Sequence, residues 1–116
     1  MHEYPAVEQI VKIALRTAGE HHAKRVIAVN IAIGELTGFA EESLQFYFDI
    51  MKKETTLTDT VLNIRYITPQ LKCSKCGHIF ERAGRSFDCP ECGGKSAPTT
   101  HGTEFFIENI EIETEE

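Results

Sequence analysis

The strongest constraint on this chain is a pair of C-x-x-C turns, "CSKC" at Cys73 and Cys76 and "CPEC" at Cys89 and Cys92. Glycine follows each pair, Gly77 in the first case and Gly93–Gly94 in the second. A C-x-x-C turn lets two thiolates reach one ion from the same side, and a small residue after it permits the tight backbone path. Two such turns make a closed tetrahedral thiolate site, whose usual occupant is zinc. The twelve residues between them, "GHIFERAGRSFD", are enough for a short ribbon ending in a turn. Four cysteines leave no open position for water, so this zinc is read as structural rather than catalytic. It would hold together a lobe too small to make its own core. A thioredoxin-type redox pair normally stands alone at the start of a helix, whereas here there are two matched pairs. His78 extends the first half to C-x-x-C-x-H, but the second half offers only glycine at the matching place. It is read as a surface residue beside the ribbon.

The rest of the chain reads as an α/β body around this insert. At 116 residues it suits one compact domain or a domain with a small appendage. Val7, Ile10, Val11, Ala14, Leu15 and Ala18 recur at helical spacing and predict a helix from Pro5 to about Ala18. "RVIAVNIAIG" is a β-branched run closed by Gly34 and predicts a strand. "EESLQFYFDIMKK" predicts a second helix, with Glu41 and Glu42 in its first turn and Lys52 and Lys53 in its last, as the helix dipole prefers. Leu44, Tyr47, Phe48 and Met51 form its stripe. Phe46 and Ile50 fall off that stripe, which predicts cover on more than one side.

"VLNIRYIT" is a second strand, stopped by Pro69, and "EFFIENIEIE" a third whose inward face is ambiguous. A bulge or a partner surface would explain the ambiguity. Strand, helix, strand in that order predicts a right-handed crossover joining parallel strands. The second and third strands are expected to pair as a hairpin with residues 70–102 as its connection. "IETEE" reads as a solvated acidic tail. The expected division is a discontinuous α/β domain, residues 1–69 and 103–116, and a zinc-binding domain, residues 70–102.

Charge argues against nucleic acid as a partner. The formal net charge is −6, and phosphates repel an acidic chain. Residues 70–102 carry Lys72, Lys75, Arg82, Arg85 and Lys95 against Glu81, Asp88 and Glu91, a formal +2. Four thiolates on Zn²⁺ add −2, so no basic patch remains. Phe80 and Phe87 are expected to form the lobe's small core. No run is long and apolar enough to span a bilayer, and the start lacks the layout of a signal peptide. A soluble, cytoplasmic protein is expected, with no membrane partner.

The chain opens "MHEYP". The α-amine of Met1, the His2 amide nitrogen and the His2 Nδ1 can chelate one ion in fused five- and six-membered rings. Amide nitrogens bind after losing a proton, which Ni²⁺ and Cu²⁺ promote, and those ions favour square-planar nitrogen sites. Glu3 can add its amide nitrogen or its carboxylate. Pro5 has no N–H, so the run of ligating amides ends before it. Residues alone leave open an incidental terminal histidine, since first residues commonly fray. His21, His22 and His101 are read as solvated.

Taken together, the opening "MHE", the helix–strand–helix–strand order, the doubled C-x-x-C insert, the closing strand and the "IGELTGF" segment at Ile33–Phe39 resemble the HypA family. These are nickel metallochaperones for maturation of [NiFe]-hydrogenase. The resemblance covers the whole chain. It implies a nickel domain with two helices on one face of a mixed three-stranded sheet, and a zinc domain projecting from it. It implies nickel at His2, with backbone nitrogens at Met1 and Glu3 beside it, and structural zinc at Cys73, Cys76, Cys89 and Cys92. It also implies two partners, a HypB-type GTPase and the hydrogenase large-subunit precursor, and in some organisms a role for urease. Nothing resembles a phosphate-binding loop, so nucleotide hydrolysis is expected of a partner and no catalysis of this chain. A zinc-stabilised interaction adaptor without nickel is the competing reading. The sequence does not decide between a monomer and a homodimer.

Overall fold

The structure is a computed structural model and describes residues 3–115. Its elements run α1 (Glu3–Glu20), β1 (Ala23–Gly34), a 3-10 turn (Glu35–Thr37), α2 (Glu41–Met51), β2 (Val61–Ile67), β3 (Gln70–Cys73), β4 (Ile79–Glu81), β5 (Ser96–Pro98) and β6 (Phe105–Thr114). The strands form two three-stranded sheets, β2-β1-β6 and β4-β3-β5. By contact density the chain divides into two compact units. One gathers the chain up to Ile31 with Phe39–Arg65 and the segment from Phe106 onward, and the other comprises Ala32–Gly38 and Tyr66–Phe105.

In the first unit both helices use the stripes their spacing predicts. Val7, Ile10, Val11 and Ala14 of α1 and Leu44 and Phe48 of α2 are buried against Val26, Ala28, Val29 and Ile31 of β1 and Leu62 of β2. The helices pack on one face of the first sheet and on each other. Two hydrogen bonds fasten the connections. Thr60 Oγ1, fully buried, donates to the Val26 carbonyl (2.8 Å), and Gln45 Nε2 donates to the Leu62 carbonyl (2.7 Å). The other face of the sheet is open. There Asn30 links its neighbours on both sides, accepting from Asn63 Nδ2 (2.8 Å) and donating to Asn109 Oδ1 (2.6 Å) and Glu111 Oε2 (2.7 Å).

These contacts also fix strand direction. Thr60 meets Val26 and Asn63 meets Asn30, so β1 and β2 advance together and are parallel. Asn30 meets Asn109 and Glu111 while Arg25 meets Glu113, so β6 runs the other way. The sheet is mixed, and the predicted parallel crossover is present.

The expected hairpin of the second and third strands is not. β6 pairs with β1, which is the central strand. The reason lies in β1 itself, which is the longest strand and is buried at seven of its twelve positions. A strand that apolar is stable only with both edges paired. Three smaller expectations also fail. Phe46 and Ile50 are 60% and 49% exposed, so α2 is covered on one side only. α2 ends at Met51, with Lys52 as its C-cap. The sequence "IET" belongs to β6 rather than to a solvated tail, and Arg25 holds Glu113 at 3.1 Å.

The ambiguity of the third strand has a physical origin. The less exposed positions of β6 are Ile107, then Ile110 and Ile112, so the inward face changes phase near Asn109. β1 differs, since both of its phases are buried toward its end, Ala32 and Gly34 on the phase of Val26 and Ala28, and Ile31 and Ile33 on that of Val29.

In the second unit β3 pairs antiparallel with both β4 and β5. Ala32, Ile33, Pro69 and Leu71 are fully buried in it, and Cys73 and Cys89 are buried as well. Phe80 and Phe87 are only half-buried, contrary to expectation. Each stacks on a polar group, Phe80 on the His78 ring (5.7 Å) and Phe87 under the Arg82 guanidinium (5.6 Å).

Candidate metal centres

The two C-x-x-C turns are built alike. Gly77 N–H donates to the Cys73 carbonyl (3.1 Å) and Gly93 N–H to the Cys89 carbonyl (2.8 Å). Both glycines lie in the left-handed region, at φ 76° and 74°, where a side chain would be strained. This turn aims backbone N–H groups at the first sulfur of each pair. Cys73 Sγ accepts from Lys75 N–H (3.3 Å) and Cys76 N–H (3.5 Å), and Cys89 Sγ accepts from Glu91 N–H (3.4 Å).

The four sulfurs lie within 4.8 Å of one another. Cys73 to Cys92 is 3.5 Å, Cys76 to Cys89 is 3.7 Å and Cys76 to Cys92 is 3.8 Å. Zinc–thiolate bonds of about 2.3 Å at tetrahedral angles require sulfur–sulfur edges of about 3.8 Å. The cluster therefore fits one tetrahedral zinc ion and leaves no fifth position. Among the described residues no other group of three or more such side chains could hold a metal.

The thiols' ionisation shows why a dication belongs there. The Cys73 thiol is held down to about 6, chiefly by the hydrogen bond from Cys76 N–H, against the opposing effect of burial, and with help from Lys75 N–H and the Cys92 and Cys76 side chains. The Cys76 thiol is pushed up to about 12. The His78 N–H pulls against that shift, but burial and the sulfurs of Cys89, Cys73 and Cys92 outweigh it. Cys92 is raised as well, against the pull of Gly94 N–H, by the Cys73 sulfur, burial and Cys89. One thiolate forms readily and its charge opposes the next. A doubly charged cation removes that opposition.

Other histidines stay apart from this cluster. His78 stacks on Phe80, and His101 is exposed with Nδ1 3.7 Å from Glu104 Oε2. His21 and His22 are exposed at the end of α1. Met1 and His2, the expected nickel ligands, lie outside the described residues. Glu3 is described, and its carboxylate is not free. It is buried at the start of α1, with Oε2 accepting the Ala40 backbone N–H at 2.7 Å. No signal in either local stretch of sequence announces that bond, which joins residues 37 positions apart.

Fold and site together define a small α/β protein with an inserted four-cysteine lobe that fits structural zinc. The family model described as "Hydrogenase/urease nickel incorporation, metallochaperone, hypA" matches residues 1–112. The hydrogenase maturation factor HypA of Caldanaerobacter subterraneus subsp. tengcongensis is 40% identical over 97% of this chain and 100% of its own length. That of Dehalococcoides mccartyi strain 195 is 35% identical over 99% and 97%. The solution structure of the Ni metallochaperone HypA from Helicobacter pylori is similar in fold, with a TM-score of 0.67 at 24% identity, covering 99% of this chain and 100% of that one. The chain belongs to the HypA family of nickel metallochaperones for hydrogenase maturation.

Proposed function

We propose that this chain binds Ni(II) at its amino terminus and delivers it for assembly of [NiFe]-hydrogenase, and of urease where the host makes one. The Met1 α-amine, the His2 imidazole and the amide nitrogens of His2 and Glu3 supply the donors. The observation that carries this reading is the family match, which begins at residue 1 and so includes "MHE". Chemistry supports it too. Glu3 stands in the first turn of α1, where amide N–H groups have no acceptor within the helix, so giving up that proton to a metal breaks no helical hydrogen bond.

On this reading residues 1–69 and 103–116 handle nickel, and residues 70–102 provide a zinc-held surface. The chain itself catalyses nothing. A HypB-type GTPase supplies nucleotide hydrolysis, the hydrogenase large-subunit precursor receives the metal, and the exchange takes place in the cytoplasm. Among the described residues no helix is long and apolar enough to cross a membrane.

Complementation tests the delivery step. A host lacking its own copy should regain hydrogenase activity with this chain, fail with His2→Ala, and regain it in either case when nickel is supplied in excess. Full rescue by His2→Ala at low nickel would favour the adaptor reading instead.

A further inference from the structure

Glu3 is the one buried charged side chain among the described residues, and its partner is the beginning of α2. That helix lacks a cap of its own. Its N-cap residue is Ala40, extended at φ −93° and ψ 133°, and no side chain of the helix caps it. A helix start is normally closed by a Ser, Thr, Asp or Asn at the N-cap, and often by a Glu or Gln three residues on that reaches back to the N-cap N–H. Here those positions are Ala40 and Ser43. Glu3 occupies the place of the second group from another helix, and its bond to Ala40 N–H is charge-assisted. The positive end of the α2 dipole favours the carboxylate further.

The next residue is tied to the same helix. The Tyr4 ring meets the Tyr47 ring edge-on at 5.4 Å. Residues 3 and 4 are thus both held by α2, one through a side-chain hydrogen bond and the other through an aromatic contact. The start of α1 is therefore anchored on α2 at two adjacent residues.

We propose that Glu3 is a positioning residue for nickel, whose carboxylate caps α2 in place of joining the metal and thereby fixes the amide nitrogen that closes the terminal chelate. This rests on the reading of nickel at the amino terminus. A carboxylate drawn to the metal would leave the Ala40 N–H without its acceptor. A carboxylate left at Ala40 holds the Glu3 amide in place before nickel arrives, which lowers the ordering cost of binding.

The test uses untagged full-length protein with Glu3→Gln, Glu3→Ala, the double variant Glu3→Ala/Ala40→Asp, and His2→Ala. Three readouts are taken: nickel affinity against a chromophoric chelator, the absorption spectrum of the nickel-saturated protein, and amide exchange at position 40 in nickel-free protein. Glutamine keeps a carbonyl oxygen for the Ala40 N–H, so Glu3→Gln should bind nickel within about threefold of wild type with an unchanged spectrum. Glu3→Ala should weaken nickel by about tenfold, roughly 1.4 kcal/mol. Its saturated spectrum should be unchanged, and exchange at Ala40 should be faster. The double variant gives α2 a cap of its own and should recover thermal stability but not nickel affinity.

A Glu3→Gln protein as weak as Glu3→Ala, with a shifted spectrum, would make the carboxylate a ligand and overturn the proposal. So would wild-type affinity in Glu3→Ala, or recovery of nickel binding in the double variant. His2→Ala separates the two levels. Unchanged nickel binding there sinks the terminal-site reading itself, whereas a loss there with no effect of Glu3→Ala sinks only the positioning role.

Discussion

Gly34, at the end of β1, lies directly against the backbone of Gly102, with no room for a side chain between them. Hydrogen bonds hold the two strands of backbone there, Gly34 N–H to the Glu104 carbonyl and Leu36 N–H to the Gly102 carbonyl, each at 2.8 Å. Gly102 in turn sits at φ 110° against Pro69. The segment that follows the four-cysteine lobe returns through this contact. A methyl group at Gly34 would run into the Gly102 carbonyl carbon and oxygen, which are backbone and cannot rotate away. Gly34→Ala is therefore expected to destabilise the protein by about 1–3 kcal/mol, the usual range for overpacking. Thermal unfolding followed by circular dichroism checks it, and an unchanged transition would show that this backbone shifts freely.

Loss of one sulfur should cost the zinc lobe its structure. Its buried centre is little more than Leu71 and two cysteines, so metal and lobe are expected to stand or fall together. Cys73→Ala or Cys89→Ala should abolish stoichiometric zinc and open residues 70–102 to protease. The α1–α2 unit has its own apolar core and should survive. Metal analysis with limited proteolysis decides, and retained zinc with a resistant lobe would refute the assignment.

How much of this was legible in the sequence depends on the range of the interaction. The cysteine pairs and their glycines could be read because everything that positions a C-x-x-C turn lies within about five residues of it. The helical stripes were legible for the same reason. Strand order was not, because the choice of β1 over β2 as the partner of β6 is settled by burial across the whole sheet. Phe46 and Ile50 look like core residues by type, yet their face of α2 points to solvent. The Glu3–Ala40 bond escaped entirely, since an alanine at an N-cap gives no hint that a distant carboxylate caps its helix.

Zinc binding should release protons, and acid should reverse it. In metal-free protein Cys76 and Cys92 are raised above the ordinary thiol value and stay protonated at neutral pH. Zinc must displace at least those two protons. Calorimetric titrations near pH 7.5 in buffers of different ionisation enthalpy should show that release, and buffer-independent heats would contradict it. Cys73 is lowered instead. Its folded value of about 6 lies below the unfolded one, so its stabilisation is full above the unfolded value and is lost as pH falls through about 6. Bound zinc carries that loss to lower pH still, because protons must then compete with the metal.

Nickel should leave before zinc as pH falls. Its ligands are an imidazole, with a free pKa of about 6.5, and an amine, at about 8, and both must be deprotonated together with at least one amide. A closed set of four thiolates holds its ion through that range. Metal release against pH, read separately for the two metals, should give nickel the higher midpoint. The reverse order would mean that the chemistry of the two sites has been exchanged.

A side-by-side nickel titration of three proteins decides whether the amino terminus holds nickel. The three are the native-terminus chain, the same chain with a few residues added before Met1, and His2→Ala, each zinc-loaded at pH 7.5. Stoichiometric, tight nickel binding is predicted for the first, weaker binding with an altered spectrum for the second, and no stoichiometric binding for the third, with zinc content the same in all. Equal nickel affinity in all three would contradict the account and leave a zinc-stabilised adaptor in its place.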